Sequence, residues 1–159
     1  MRNSKEYVMK KRAWVYKVVV FVLIIISIYA FSRFYFIYSE SKIKNEIIES
    51  VEDNLVGFNI YSMKVMNEEI SSGEFEGFQV QKDHDYPDII NYYYKGKGIG
   101  SGTIYYGLYY IHDDDVERSF NGLLEKKDSD SWFYQENNSD NTMYLERINK
   151  SFYYYKTTY

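Results

Sequence analysis

The densest polar group in the chain is His112-Asp113-Asp114-Asp115, and the chemistry such a group offers is the holding of a hard cation. In an extended chain Asp113 and Asp115 share one face about 7 Å apart. With His112 beside them, and Glu117 or Asp88 as a further oxygen ligand, they are the candidate metal ligands of this sequence. The calcium-loop pattern nevertheless fails. Counted from Asp113, the sixth position is Arg118 where glycine belongs, and the twelfth is Leu124 where glutamate belongs. Starts at Asp83 and Asp128 fail at the same places, so a solvated acidic turn is the simpler expectation. The two histidines, His84 and His112, stand far apart in a chain without cysteine, and no catalytic zinc centre is expected from them.

Other chemistry is thinner still. The glycine-rich run Gly96-Lys97-Gly98-Ile99-Gly100-Ser101-Gly102 has the look of a phosphate cradle but lacks the Gly-Lys-Ser/Thr ending. It leads into a tyrosine-rich strand pattern rather than into the helix whose N-terminus would meet a phosphate, so it reads as a turn or bulge. No Gly-x-Ser-x-Gly elbow is present. The sequence therefore assigns no catalytic residue and no cofactor, and a metal-assisted hydrolase built on the acidic turns is the enzymatic alternative.

Binding by aromatic side chains is the stronger theme, because the chain has 20 tyrosines. Along 103–111, Tyr105, Tyr109 and Ile111 share one parity, and Ile104, Tyr106, Leu108 and Tyr110 the other. Along 152–159, Phe152 and Tyr154 oppose Tyr153 and Tyr155. A sheet with one face in water shows polar residues on one parity. These strands are therefore either covered on both faces or present tyrosines to a ligand, and Tyr106, Tyr110, Tyr153 and Tyr155 are the candidates for that role.

The elements that must position these groups begin with an anchor. Residues 18–32, VVVFVLIIISIYAFS, carry no charge, and the apolar character extends over 13–38 with Lys17 and Arg33 near its ends. At 1.5 Å per residue the uncharged part covers roughly 22 Å, and the stems of Lys17 and Arg33 can snorkel across the rest of a ~30 Å hydrocarbon layer. This predicts a single transmembrane helix. Arg2, Lys5, Lys10, Lys11 and Arg12 crowd its amino-terminal side against Glu6 alone, so the positive-inside rule places 1–12 in the cytoplasm as a basic tail. The rest then lies outside, on the far side of the plasma membrane. Ala30-Phe31-Ser32 would suit a signal peptidase, but the apolar run continues past that cut through Tyr38. An apolar helix, stalk and β domain are also the plan of pilins, but the glycine processing site and the early glutamate that plan requires are missing.

Beyond the span, Ile43, Ile47, Ile48, Val51 and Leu55 recur at helical spacing, which predicts a stalk helix over 39–57 stopped by Gly57. Its stripe either packs on the following domain or, through Ile43, Ile47, Val51 and Leu55, pairs with a second copy or another membrane protein. From 58 to 159 the period changes to two. Strands are predicted at 61–65, 78–81, 103–111, 132–135, 143–148 and 152–159, with 89–94 as strand or helical turn and a hairpin at Asn149-Lys150. The helix running on toward Met66 is the alternative for 61–65. The expected fold is α+β: transmembrane helix, helical stalk, then a small antiparallel Tyr-rich meander of about six strands.

Two segments carry a resemblance. GTIYYGLYYIHDDD (102–115), with Phe120-Asn121-Gly122 after it, and DSWFYQENNSDNTMYLERINKSFYYYKTTY (130–159) resemble small uncharacterised bacterial Tyr-rich proteins. Their layout is a Tyr-Tyr-Gly-x-Tyr-Tyr strand, an acidic turn, a tryptophan strand, an Asp-Asn turn and a Tyr-Tyr-Tyr terminus. The resemblance implies one compact β domain and no particular activity.

Charge bounds the partners. Residues 1–38 hold seven basic and one acidic residue, leaving 39–159 with 12 basic against 22 acidic. A domain about ten charges negative repels nucleic acid and favours a basic protein partner. The expectation is a membrane-anchored extracytoplasmic binding or interaction module without enzymatic activity. The alternative is a structural or assembly subunit of an envelope membrane complex.

Overall fold

A computed structural model describes the backbone of residues 2–158 and the side chains of 14–158 apart from Ser101. The side chains of the basic flank at 2–12, on which the orientation rests, lie outside the described residues, as does Tyr159 at the end of the last predicted strand. The chain divides into two compact units, 1–42 and 43–159. Helix α1 (Arg2–Asp53) makes up the described part of the first unit and supplies the beginning of the second. In the first unit the large apolar side chains of 14–38 are exposed apart from the half-buried Val20 and Phe36, with Phe21 at 64% and Phe31 at 72%. This helix is long and apolar enough to cross a membrane.

The second unit is an eight-stranded antiparallel sheet with helices on it, so the fold is α+β as expected. The strands are β1 (Ser72–Phe75), β2 (Phe78–Lys82), β3 (Ile89–Lys97), β4 (Ile104–Ile111), β5 (Glu125–Lys126), β6 (Ser131–Gln135), β7 (Thr142–Asn149) and β8 (Phe152–Thr158), in the order β1-β2-β3-β4-β8-β7-β6-β5. The predicted simple meander of six strands is thus corrected. Two meanders meet where β4 pairs with β8, which puts the last strand in the middle of the sheet. The β1–β2 turn lies at Glu76-Gly77, both at positive φ as a two-residue hairpin requires.

The stalk also needs correction. Helix α1 ends at Asp53, and Asn54 caps a second helix, α2 (Leu55–Met66), by accepting a hydrogen bond from the Gly57 N–H at 3.1 Å. Gly57 stops nothing: it lies in the first turn of α2, where a Cβ would collide with the Asn54 side chain. The strand expected at 61–65 is the body of this helix. Phe58, Ser62 and Val65, at helical spacing, are its buried face, and the alternation of Tyr61, Met63 and Val65 is coincidental.

The helices cover one face of the sheet. Ile43, Ile47 and Val51 of α1 and Phe58 and Val65 of α2 pack with Phe78, Val80, Ile90, Tyr92, Tyr106, Leu108, Tyr110, Phe152 and Tyr154. Ile43, Ile47 and Val51 are at most 5% exposed and Leu55 is half-buried against the same cluster, so the stripe is spent inside the chain. Polar pairs seal the layer: Lys44 meets Glu146 at 2.6 Å, Lys95 meets Glu46 at 3.1 Å, and the buried Ser62 and Tyr92 hydroxyls share a hydrogen bond of 2.7 Å.

The opposite face is covered only in part. Helix α3 (Val116–Ser119) and the loop after it lay Val116, Phe120 and Leu124 over Ile89, Tyr109, Ile111, Trp132, Leu145, Tyr153 and Tyr155. Both parities of β4 and β8 are aromatic because each face has a core of its own.

Candidate functional site

The acidic turn is structural. Asp115 caps α3 by accepting from the Arg118 N–H at 3.0 Å, and the Asp113 carboxylate pairs with the Arg118 guanidinium. His112 Nδ1 lies 3.2 Å from the Tyr110 hydroxyl. Asp113 and Asp115 are thus both engaged by Arg118, through its guanidinium and its N–H, while His112 meets Tyr110, and among the described residues no three His, Cys, Asp or Glu side chains gather as a cation would need.

The central residue of this turn is one the sequence did not single out. Asp114 accepts hydrogen bonds from the Tyr153 hydroxyl at 2.6 Å, the Ser151 N–H at 2.9 Å and Arg147 Nη1 at 2.5 Å. It thereby ties the end of β4 to the β7–β8 hairpin and holds Ser151 at φ 67°. Burial alone would raise the Asp114 carboxyl, but these three donors outweigh it and keep it below the usual carboxylate range. The Tyr153 hydroxyl is pushed well above the usual tyrosine range, first by burial and then by Asp114. Arg147 completes the group by lying over the rings of Trp132 and Tyr153, at 5.8 and 5.1 Å from their centroids.

The four candidate binding tyrosines are all buried. Tyr106 and Tyr110 face the helices, Tyr153 and Tyr155 face α3 and its loop, and none is more than 4% exposed. They hold the sheet rather than present themselves to a ligand as a set. Tyr155 alone also borders an open surface.

That surface is a hollow of about 250 Å³ on the α3 side of the sheet, lined by Gln79, Gln81, Asn91, Tyr93, Tyr105, Tyr109, Tyr155 and Thr157. Register explains it. The pairs Gln79↔Tyr93, Tyr93↔Gly107 and Gly107↔Tyr155 form one row across β2, β3, β4 and β8, and Gln81, Asn91 and Tyr109 form the next. In the middle of the first row stands Gly107, which has no side chain to fill the space. A Cβ there would collide with the Tyr92 carbonyl and with the Tyr155 ring that leans over it. Tyr109 and Tyr155 stack at 4.4 Å to make the floor, the half-buried Tyr93 and Tyr105 rings stand 6.3 Å apart, and the Tyr155 hydroxyl donates to Asn91 Oδ1 at 2.9 Å.

No protein-family model, curated protein or solved structure matches this chain. The chemistry of the hollow itself therefore bears the functional question. It holds no charged side chain, although residues 39–159 carry 22 acidic and 12 basic residues. Such a surface orients a ligand by stacking and neutral hydrogen bonds, and it offers no acid, base or nucleophile of ordinary strength. The signal for it was the parity of β2 and β3: Phe78, Val80, Ile90 and Tyr92 turn inward while Gln79, Gln81, Asn91 and Tyr93 turn outward.

Proposed function

We propose that this protein is a single-pass membrane protein that displays a binding domain, without catalytic machinery, on the outer side of the plasma membrane. The long apolar helix supports the anchor, and the excess of Lys and Arg ahead of it supports the orientation. The observation that carries the binding role is the uncovered, uncharged hollow over Gly107, on a sheet whose other face is closed by α1 and α2. The acid excess lies outside that hollow and remains available to a basic protein partner. An assembly subunit is supported less, because Ile43, Ile47 and Val51 of its stripe are buried against the sheet.

A photo-reactive benzophenone side chain placed at Gln81, in the full chain within producing cells, tests the role of the hollow. An adduct is expected at Gln81 and not at the exposed Glu125 on β5, and Tyr105→Ala should abolish it. Equal adducts from both positions, or one indifferent to Tyr105→Ala, would remove the hollow from the function.

A further inference from the structure

We infer that the ligand of the hollow is a neutral glycan, an inference that rests on the binding role just proposed. Three features of the lining select it. First, the lining is uncharged, so an anionic or cationic ligand would lose its hydration there without a counter-charge to replace it. Second, Tyr93 and Tyr105 are half-exposed and their rings are inclined at 52°, which offers two aromatic faces to the C–H faces of a sugar ring. Third, the carboxamides of Gln79, Gln81 and Asn91 each carry both donors and acceptors, as sugar hydroxyls do. The Oδ1 of Asn91 already accepts from Tyr155, so its NH₂ group is what it extends to a ligand.

Size and continuity specify the ligand further. About 250 Å³ is below the roughly 300 to 1,000 Å³ of sites that enclose a drug-sized molecule, and suits a single sugar unit. A second hollow of about 230 Å³, bordered by Tyr86 and Tyr134 and by the carboxylates of Asp85 and Glu136, which can accept from sugar hydroxyls and would repel an anionic chain, shares Thr157 with the first. A chain of two or more units can lie along both, and an oligosaccharide is expected to bind more tightly than its monomer.

The test uses the full chain in lipid nanodiscs, because sugar-headed detergents would compete. Probes are the neutral chitotriose and maltotriose, their monomers, and an anionic oligogalacturonate. A neutral trisaccharide is expected to bind, its monomer more weakly, and the exposed Gln81→Ala to weaken binding about tenfold or more with the melting temperature unchanged, while Tyr105→Ala, whose ring also packs on the α3-side core, should weaken binding as much when measured below its lowered melting temperature. Preference for the anionic sugar, or neutral binding untouched by both substitutions, would overturn the inference. If no glycan binds while the Gln81 cross-linker captures a polypeptide sensitive to Tyr105→Ala, the glycan is wrong and the binding role stands. If neither occurs, both fall.

Discussion

Replacing Tyr153 or Tyr154 by alanine is expected to destabilise the domain by about 3 to 5 kcal/mol each, the usual loss when a buried aromatic is truncated. The two residues are neighbours on β8 but belong to different cores. Tyr153, fully buried, packs edge-on against Trp132 at 5.7 Å beneath α3, whereas Tyr154, 3% exposed, faces α1 and α2. A small domain holds only about 5 to 15 kcal/mol in total, so either change should lower the melting temperature by many degrees. Thermal unfolding of the two variants, followed by near-ultraviolet circular dichroism, checks this. A shift for one and none for the other would mean that one face of β8 is not packed.

Asp114→Ala is the second large effect. It removes the acceptor of three hydrogen bonds, two of them from the Tyr153 hydroxyl and the Arg147 guanidinium, and leaves Arg147 paired only with Asp130 at 3.7 Å. At about 1.5 kcal/mol for each of the three bonds to the carboxylate, a loss of about 4 to 5 kcal/mol is expected. The pH dependence has a definite sign. Because the folded state holds the Asp114 carboxyl below its unfolded value near 3.8, its contribution is present above that pH and disappears as the pH falls through the depressed folded value. Chemical denaturation at neutral pH and at pH about 3 should therefore show a smaller acid-induced loss in Asp114→Asn than in the natural chain. An equal loss in both would place the acid-sensitive group elsewhere.

Why Asp114 escaped notice in the sequence is physical. Its partners Arg147, Ser151 and Tyr153 lie 33 to 39 residues away, and nothing local tells a carboxylate that anchors a distant hairpin from one that is merely solvated. Local periodicity, by contrast, was informative wherever one face of an element met one core. The stripe of Ile43, Ile47 and Val51 and the alternation of β2 were legible for that reason. It misled at 61–65, where a helix happened to alternate, and α2 became legible only through Phe58, Ser62 and Val65 together. The hollow required the pairing of β4 with β8, because Gly107 is an ordinary strand glycine until Tyr93 and Tyr155 flank it.

The membrane display of the domain admits a direct measurement, since the chain has no cysteine of its own. A single cysteine is introduced at Lys150, exposed in the β7–β8 turn, or at Ser4 in the basic tail, and intact cells are treated with a membrane-impermeant maleimide. Lys150→Cys should be labelled in intact cells, and Ser4→Cys only after the membrane is opened. Labelling of Ser4→Cys with protection of Lys150→Cys would reverse the orientation and contradict the proposed display of the binding domain outside the cell.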